Sequence, residues 1–432
     1  MSKSIDDQVG SARVGAGLID AGAAALATFL ASAYAVWVLS PEELGAHALA
    51  FSAMVMIAFI PERLVFLPTL AVSVERKPAA RLGYYREGLR LALPLAPLIV
   101  AFVVLFFLLP DGLADIERVA LAACGAAAAL FHSAQLFARQ ILHYADRSRT
   151  AIAASLLRLV VTGAAIFVFS QTELPVVAIP LAALATGNVV VATWVAILRP
   201  IERVARLSVR AIYPRGSYLV ASSIVPSAAG FITANLVIAF GGAALLGFAE
   251  AARIVAQPVF VGATGLSMAT NPRVMSGART GDTEAVARAR RIYLGALWAG
   301  GLAYAAFLVL PGVGSAVEAL FPTAFEITGL VAISVLAQIV LGMTRPYAAE
   351  AIALEREPAI LVSELPGAVI VIGFGLVVPV VGAFAVPAGL LGAGLTRTAI
   401  LRHMLAEPTP KPTSEAGITP TLDELSAAEV AE

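Results

Sequence analysis

Residues 14–39 read VGAGLIDAGAAALATFLASAYAVWVL, a stretch in which Asp20 is the only charged side chain. Such a run is typical of a membrane-spanning helix, which needs about 20 apolar residues to cross the hydrocarbon core. The chain as a whole is also strongly apolar, since 59% of its 432 residues are hydrophobic, 13% are charged and the mean hydropathy is +0.88. Soluble domains carry about 25% charged residues. The chain is therefore predicted to be an integral membrane protein.

Twelve apolar runs of this kind are predicted to be membrane-spanning helices. In chain order they cover 14–39, 46–74, 90–109, 118–138, 151–170, 174–198, 217–240, 249–270, 292–311, 325–344, 359–379 and 383–404. The second run is long and contains Pro61 and Pro68, so we expect it to be kinked or tilted. The predicted fold class is an all-α membrane protein of about twelve spans.

Positive charge is distributed unevenly about these spans. Of the 29 Lys and Arg, 25 lie on one side of the predicted topology, Arg118 lies on the other, and Arg63, Arg158 and Arg253 lie within spans. Cytoplasmic loops carry an excess of Lys and Arg. This distribution predicts an even number of spans with both termini in the cytoplasm.

Short matches recur between the two halves of the chain. They pair 134–136 with 337–339, 148–155 with 356–363, and Leu44-Gly45 with Leu246-Gly247, at offsets of 203, 208 and 202. Repeated halves around a central site are common in secondary transporters. The sequence thus predicts two pseudo-symmetric six-helix bundles around a central cavity.

The predicted organisation has five parts. A cytoplasmic N-terminus at 1–13 precedes an N-terminal lobe at 14–198, and a basic cytoplasmic linker at 199–216 leads to a C-terminal lobe at 217–404. The remaining segment, 405–432, is acidic and rich in proline, and is predicted to be a disordered cytoplasmic tail.

Several function classes are poorly supported by the sequence. It has no G-x-x-x-x-G-K-[ST], H-E-x-x-H, C-x-x-C or G-x-S-x-G motif, and Cys124 is its one cysteine. The loops are too short and basic for the acidic pair of a membrane glycosyltransferase. The net charge of zero gives no basic field for nucleic acid. We predict a protein that is not an enzyme and has no catalytic residues, metal site, cofactor or nucleic-acid partner.

The eighth span carries a polar stripe. Glu250, Gln257, Thr264 and Asn271 recur every seven residues, with Arg253 and Ser267 beside them. Seven residues is nearly two helical turns, so these groups share one face. The stripe predicts either a water-filled cavity in which Arg253 receives an anionic substrate, or a structural ion pair between Glu250 and Arg253.

Three further ionisable residues lie in the first two spans. Glu62 and Arg63 follow Pro61, and Arg63 is interpreted either as a second cavity cation or as a side chain that reaches the cytoplasmic headgroups. Asp20 and Glu62 are candidate coupling or ion-pair acids, with an interfacial acid as the alternative for Asp20.

Three stretches resemble a known family. They are Leu39-Ser40-Pro41-Glu42-Glu43-Leu44-Gly45, the run from Leu246 to Pro258 that leads to Asn271-Pro272-Arg273, and Arg139-Gln140-Ile141-Leu142 with Arg147. Together they resemble the bacterial polysaccharide (O-antigen type) flippases of the multidrug/oligosaccharidyl-lipid/polysaccharide exporter superfamily. The resemblance covers essentially all twelve spans. The chain departs from it at His47 and Phe248, where the family often has tyrosine, which leaves the fine substrate assignment open.

The resemblance implies a function. A polyprenyl-diphosphate-linked oligosaccharide would be moved across the bacterial cytoplasmic (inner) membrane by alternating access of the two lobes, with Arg63 and Arg253 binding the diphosphate. The implied partners are that lipid-linked oligosaccharide, the lipid bilayer and a glycan polymerase or glycosyltransferase. Two alternatives stay open. An ion-coupled multidrug antiporter would depend on Asp20 or Glu62, and a non-transporting subunit of a glycan assembly complex would have a closed, apolar interior.

Overall fold

The computed structural model describes residues 5–74, 78–107, 113–198, 204, 206–354 and 356–406. This part of the chain is helical almost throughout and contains no β-strand. Eleven of its helices or helix pairs are long and apolar enough to cross a membrane. The third predicted span, 90–109, is described only as far as Phe107. The acidic tail from 407 onward and much of the linker, 199–203 and 205, lie outside the described residues.

The described residues of the N-terminal lobe form nine α-helices. They are α1 (Ile5–Val38), α2 (Pro41–Pro61), α3 (Leu67–Val74), α4 (Pro78–Arg81), α5 (Gly83–Ala92), α6 (Ala96–Phe107), α7 (Asp115–Tyr144), α8 (Ser148–Phe169) and α9 (Ile179–Ile197). A π-helical turn, Glu62–Phe66, joins α2 to α3.

In the C-terminal lobe the described residues form nine more helices. They are α10 (Val209–Gly241), α11 (Ala243–Thr280), α12 (Thr283–Leu308), α13 (Val313–Leu320), α14 (Leu330–Met343), α15 (Arg345–Ala353), α16 (Glu357–Leu376), α17 (Val378–Val381) and α18 (Ala385–Ala406). Several helices extend beyond the predicted spans. The fourth span was predicted to end at 138, but α7 continues to Tyr144, and α10 begins at Val209 rather than at 217.

The bundle has two chemically different ends. We call the end where α1 begins and α18 ends the basic end, because its arginines bind the carbonyl oxygens at the ends of neighbouring helices. Arg81 donates to Tyr144 O at 2.6 Å, Arg86 to Ala196 O at 3.0 Å and Arg356 to Met404 O at 2.8 Å. Cations suit these positions because helix C-termini carry partial negative charge. The opposite end, where α2 begins, is called the acidic end.

Local sequence explains both ends of α2. Ser40 caps the helix, since its Oγ accepts from the Glu43 N–H at 3.3 Å while its own N–H donates to Glu43 Oε2 at 2.8 Å. Pro41 occupies the first turn, where its missing N–H costs nothing. At the other end Pro61 precedes the π-helical turn, because proline cannot continue the regular hydrogen-bond ladder.

A matched pair of buried tyrosines supports the two-lobe arrangement. Tyr85 and Tyr293 are both fully buried, at 0% exposure. Tyr85 Oη donates to Ala134 O at 3.3 Å, and Tyr293 Oη donates to Gly342 O at 2.9 Å. Both the donors and the acceptors are separated by 208 positions, the same offset as one of the sequence matches. The lobes therefore share an internal bracing contact as well as a helix order.

The lobes meet at the acidic end through small residues. A methyl group on Gly45 would overlap the carbonyl oxygen of Ala243, and one on Gly247 would overlap that of Pro41. The contact is reciprocal, because the two glycines and the two carbonyl residues are each separated by 202 positions. Nearby, the rings of Phe29 and Phe321 lie 6.3 Å apart across the lobes. The acidic end is thus closed by backbone-to-backbone packing.

At the basic end the lobes meet through a different pair of segments. A methyl group on Gly216 of α10 would overlap the backbone of Leu64 in the π-helical turn. The helix α10 therefore packs directly against the irregular part of the second span.

Candidate functional site

A cavity of about 270 Å³ lies between the two lobes. The N-terminal lobe contributes α2, and the C-terminal lobe contributes α10, α11, α16 and α18. Its walls are Ala48, Phe51, Ser52, Val55, Met56, Ser227, Gly230, Phe231, Thr233, Ala234, Leu246, Glu250, Arg253, Val371, Val386 and Leu390. Most of these side chains are apolar or small, so Glu250 and Arg253 supply the charge.

The two charged groups form a close ion pair. Arg253 Nε donates to Glu250 Oε2 and Arg253 Nη2 donates to Glu250 Oε1, both at 2.6 Å. This two-point contact is the geometry that Arg and carboxylate favour. The Glu250 side chain is 12% exposed and that of Arg253 is 30% exposed, so the guanidinium has the more open side. The structure therefore contains both features considered for this stripe, an ion pair and a cavity beside it.

The rest of the polar stripe is divided between different environments. Thr264 and Ser267 bond back to their own helix, through Phe260 O at 2.9 Å and Ala263 O at 2.8 Å. Ser267 also lies 3.5 Å from the hydroxyl of Tyr293, inside the C-terminal lobe. The Oε1 atom of Gln257 and the Oδ1 atom of Asn271 are buried without a hydrogen-bond partner. Of the stripe residues, Glu250 and Arg253 line the inter-lobe cavity.

Arg63 lies away from that cavity's described lining. It follows Met56 by seven residues, which places it roughly 10 Å further toward the basic end. Its guanidinium lies 3.7 Å from Glu62 and 5.7 Å from the ring centre of Phe59. Its Nε atom is buried without a hydrogen-bond partner, while the side chain as a whole is 32% exposed. The guanidinium of Arg63 is therefore only loosely paired with the carboxylate of Glu62.

Asp20 is the centre of a buried network in the N-terminal lobe. Arg139 donates to it at 2.7 and 3.1 Å, His143 Nε2 lies at 3.1 Å, and Ser155 Oγ donates a short hydrogen bond. Of the roles considered for Asp20, the structure shows the ion pair. Sequence reasoning missed its partner because Arg139 was assigned to a loop. The carboxylate is 4% exposed and borders a cavity of about 600 Å³ at the basic end.

Arg158 extends this interior, and no acid in the described part of the chain pairs with it. Its Nε donates to Asn188 Oδ1 at 2.8 Å, and its two terminal nitrogens donate to Ala24 O at 2.9 Å and Thr28 Oγ1 at 3.2 Å. Three neutral acceptors therefore solvate a guanidinium that is almost fully buried. This arrangement fits a structural role in joining α1, α8 and α9.

Arg345 is a candidate site residue that the sequence did not single out. It lies at the start of α15 and its guanidinium sits 4.8 Å from the ring centre of Phe260. Phe260 follows Arg253 by seven residues and thus lies on the same face of α11. Arg345 has no acidic partner among the described residues. The tenth predicted span ends at 344, but the helical path continues through α15 to Ala353.

The acids shielded within the described spans are all matched by arginine. The pairs are Asp20 with Arg139 at 2.7 Å, Glu62 with Arg63 at 3.7 Å, Glu250 with Arg253 at 2.6 Å, Glu350 with Arg290 at 3.1 Å and Glu364 with Arg397 at 2.6 Å. Because Arg158 and Arg345 are additional, the described spans have an excess of fixed positive charge. Within the described part of the chain, no group of three His, Cys, Asp or Glu is placed to hold a metal ion.

Comparison with known proteins shows which solved structures share this fold. Family models show no match to the chain, and no curated protein sequence matches it. Solved structures do match. An inward-facing multidrug resistance MATE family transporter of the MOP superfamily aligns over 88% of this chain and 94% of its own length, with 17% identity and a TM-score of 0.67. The chain has the fold of a MATE transporter.

Two further structures show the same similarity. A MOP superfamily transporter from Pyrococcus furiosus aligns over 91% of this chain and 94% of its own, with 17% identity and a TM-score of 0.65. The reverse polarity of that transporter's binding pocket suggests a different function for it. An outward-facing multidrug resistance MATE transporter aligns over the same shares, with 17% identity and a TM-score of 0.62. The MATE fold confirms the predicted class of an all-α membrane protein with about twelve spans in two lobes.

Proposed function

We propose that this protein is a transporter that moves a polyprenyl-diphosphate-linked oligosaccharide across a bacterial cytoplasmic (inner) membrane by alternating access. The observation that carries the proposal is the excess of cations inside the spans, where each shielded acid is matched and Arg345 is not. A diphosphate needs fixed positive charge, and the planar guanidinium suits phosphate oxygens. The two lobes with a cavity at their interface supply the frame for such movement.

The proposed binding surface follows one face of α11. Arg253 lies at the inter-lobe cavity. Phe260 lies about 10 Å further toward the basic end, and the guanidinium of Arg345 packs over its ring. Arg63 lies on the facing span at a similar distance beyond Met56. We propose that the diphosphate engages Arg345 and Arg63 first, and that Arg253 exchanges part of its bond to Glu250 for the substrate.

The closed acidic end supports a particular starting state. Gly45 and Gly247 pack against the opposite lobe there, so a substrate could not leave on that side without separation of the lobes. We propose that substrate enters from the basic end by movement of the contact between Gly216 and Leu64, and that the basic end with both termini faces the cytoplasm. A glycan polymerase or glycosyltransferase remains a proposed partner.

Arg345→Gln is the cleanest test, because it removes a cation that has no ion-pair partner to leave unpaired. We expect the rate of transport to fall by about ten-fold or more, since a hydrogen bond to a charged group contributes about 1.5–3 kcal/mol. The readout is translocation of a fluorescent polyprenyl-diphosphate sugar in proteoliposomes. Arg345→Lys should retain part of the rate.

Arg253→Ala is tested beside it, with the double change Glu250→Gln/Arg253→Gln to avoid a stranded acid. Arg118→Gln is the matched control, because Arg118 lies at the acidic end and bonds to Leu113 O at 3.1 Å. Full transport by Arg345→Gln and by the double variant, at normal protein level, would contradict the proposed substrate.

An ion-coupled multidrug antiporter is the second candidate, because two of the matching structures are described as multidrug resistance transporters. In this case Asp20 or Glu62 would be essential for coupling, and Arg253 would be dispensable. Drug efflux that survives Arg345→Gln but is lost in Asp20→Asn or Glu62→Gln, with each variant still folded in the membrane, would favour this candidate. The cavity with its charged pair argues against a non-transporting subunit, which was expected to have a closed, apolar interior.

A further inference from the structure

The C-terminal lobe contains a second cavity, separate from the inter-lobe one and about three times larger, at about 820 Å³. It lies at the basic end among the ends of α11, α15 and α18 and the start of α12. Along α12 it extends from Thr283 to Leu294, which is roughly 16 Å of helix. We therefore expect the cavity to extend from the headgroup region of the membrane into its apolar layer.

The charge of this cavity is positive. Its charged lining consists of Arg290, Arg291 and Arg402 against the single acid Glu350. The Arg290 guanidinium is already paired within the protein, because it bonds to Glu350 at 3.1 Å and lies 5.0 Å from the ring centre of Tyr347. Two arginines remain to give the cavity its net charge.

Those two arginines are available to a ligand. The Arg291 side chain reaches a carbonyl of its own helix, Ala287 O, at 3.5 Å. Arg402 is exposed and has no acidic partner among the described residues. The acids at the start of α12 are engaged elsewhere, since Asp282 caps the helix at the Ala285 N–H and Glu284 binds Arg288 at 2.6 Å.

The rest of the lining is apolar. Val286, Leu294, Leu354 and Leu405 form it beside the glycines and alanines of the helix ends. A cavity that combines unpaired arginines with an apolar inner wall suits a ligand with an anionic head and a hydrocarbon tail. Basic pockets between membrane helices on the cytoplasmic side recognise such lipids.

We propose that this cavity binds an anionic membrane phospholipid, with its phosphate between Arg291 and Arg402 and the first part of an acyl chain against Leu294 and Leu354. The site belongs to the C-terminal lobe alone. It is therefore distinct from the transport pathway between the lobes, and its test does not depend on the transported substrate.

The test measures the melting temperature of the purified full chain with added short-chain phosphatidylglycerol, and with phosphatidylcholine of the same chain length. Phosphatidylglycerol should raise the melting temperature and phosphatidylcholine should not. Arg291→Gln/Arg402→Gln should lose at least half of that increase. Arg279→Gln is the matched control, because Arg279 is exposed at the same end without lining the cavity, and it should keep the full increase.

Native mass spectrometry of the same variants counts bound phospholipid and remains informative if the double variant melts early. An unchanged lipid count and an unchanged increase in the double variant would overturn the proposal. An equal increase with inorganic phosphate would assign the cavity to a soluble anion instead. A lipid response that appears only when the chain is ended after Ala406 would assign the cavity to the acidic segment 407–432 and would also overturn it.

Discussion

At the scale of single residues, the interior chemistry depends on how each charge is compensated. Asp20 accepts hydrogen bonds from Arg139 and Ser155 and contacts His143, which together replace the water that the carboxylate loses on burial. Removing one member of a buried ion pair is costly because the other charge stays buried without compensation. We therefore expect that removal of Asp20 or Arg139 alone destabilises the protein more than removal of both.

Asp20→Asn should destabilise the protein by about 3–5 kcal/mol, because it leaves Arg139 buried without its counter-charge. The melting temperature in detergent measures this loss. Asp20→Asn/Arg139→Gln should recover part of it.

Glu284→Gln is the matched control, since Glu284 and Arg288 are 76% and 67% exposed and exposed pairs contribute about 0–1 kcal/mol. A melting temperature of Asp20→Asn equal to that of this control would show that the pair is not needed for folding.

Sequence could identify ionisable residues inside spans but only some of their partners. Glu250 and Arg253 are three residues apart on one helix, so their pairing follows from helical spacing. Asp20 and Arg139 are separated by 119 positions, and no local pattern brings them together. Arg345 was not considered because the tenth predicted span, 325–344, ends one residue before it, whereas in the structure α15 begins at Arg345.

At the scale of elements, small residues decide where helices approach closely. Gly45 on α2 and Gly247 on α11 each lie against a backbone carbonyl of the other lobe. A side chain on either glycine would separate the two helices. Sequence comparison had already paired these glycines as a repeat, but a pattern of small residues does not reveal which surface they face.

Gly45→Ala and Gly247→Ala should each lower the melting temperature, because the added methyl group overlaps a carbonyl oxygen and the backbone must move. We expect a cost of about 1–3 kcal/mol for each change. Gly22→Ala is the control, since nothing lies within 4 Å of the added methyl group.

The control should be neutral or slightly stabilising, because alanine is a better helix former than glycine by about 0.5–1 kcal/mol. Equal behaviour of all three variants would mean that the acidic end is not closed in the way described.

At the scale of the whole molecule, the two lobes share a structural framework but differ in their buried charges. Tyr85 and Tyr293 occupy matching places, whereas the buried charges do not match. The N-terminal lobe has Asp20, Arg139 and Arg158, and the C-terminal lobe has Glu364 with Arg397. The two-lobe plan was predictable from short repeats because they follow the framework. The ion pairs between distant residues, such as Asp20 with Arg139, were not predictable, because they differ between the lobes.

Tyr85→Phe and Tyr293→Phe should have similar effects, each costing about 1 kcal/mol for the lost hydrogen bond. Because the residues lie in separate lobes, the double variant should show the sum of the two losses. Melting temperatures in detergent measure this. A loss confined to one tyrosine would show that the matching contacts are not equivalent in energy.

The closed acidic end makes a prediction for the transport cycle. Phe29→Cys/Phe321→Cys, in a Cys124→Ser background, should be cross-linked across the lobes by a bifunctional methanethiosulfonate reagent, because the native ring centres lie 6.3 Å apart and the cysteines leave room for a spacer. The cross-linked protein should lose transport in proteoliposomes and recover it on reduction. The single variant Phe29→Cys should keep its transport after treatment with this reagent. Transport that continues with the cross-link formed would rule out opening at this end.

The reciprocal contact between Gly45 and Ala243, and between Gly247 and Pro41, also bears on the origin of the molecule. Such a contact is isologous, the kind that joins two identical subunits about a two-fold axis. A lobe with six spans begins and ends on the same side of the membrane, so two copies would insert with the same orientation. An ancestral protein of a single lobe could therefore have assembled as a homodimer through this surface, before duplication joined the copies and allowed their interiors to diverge.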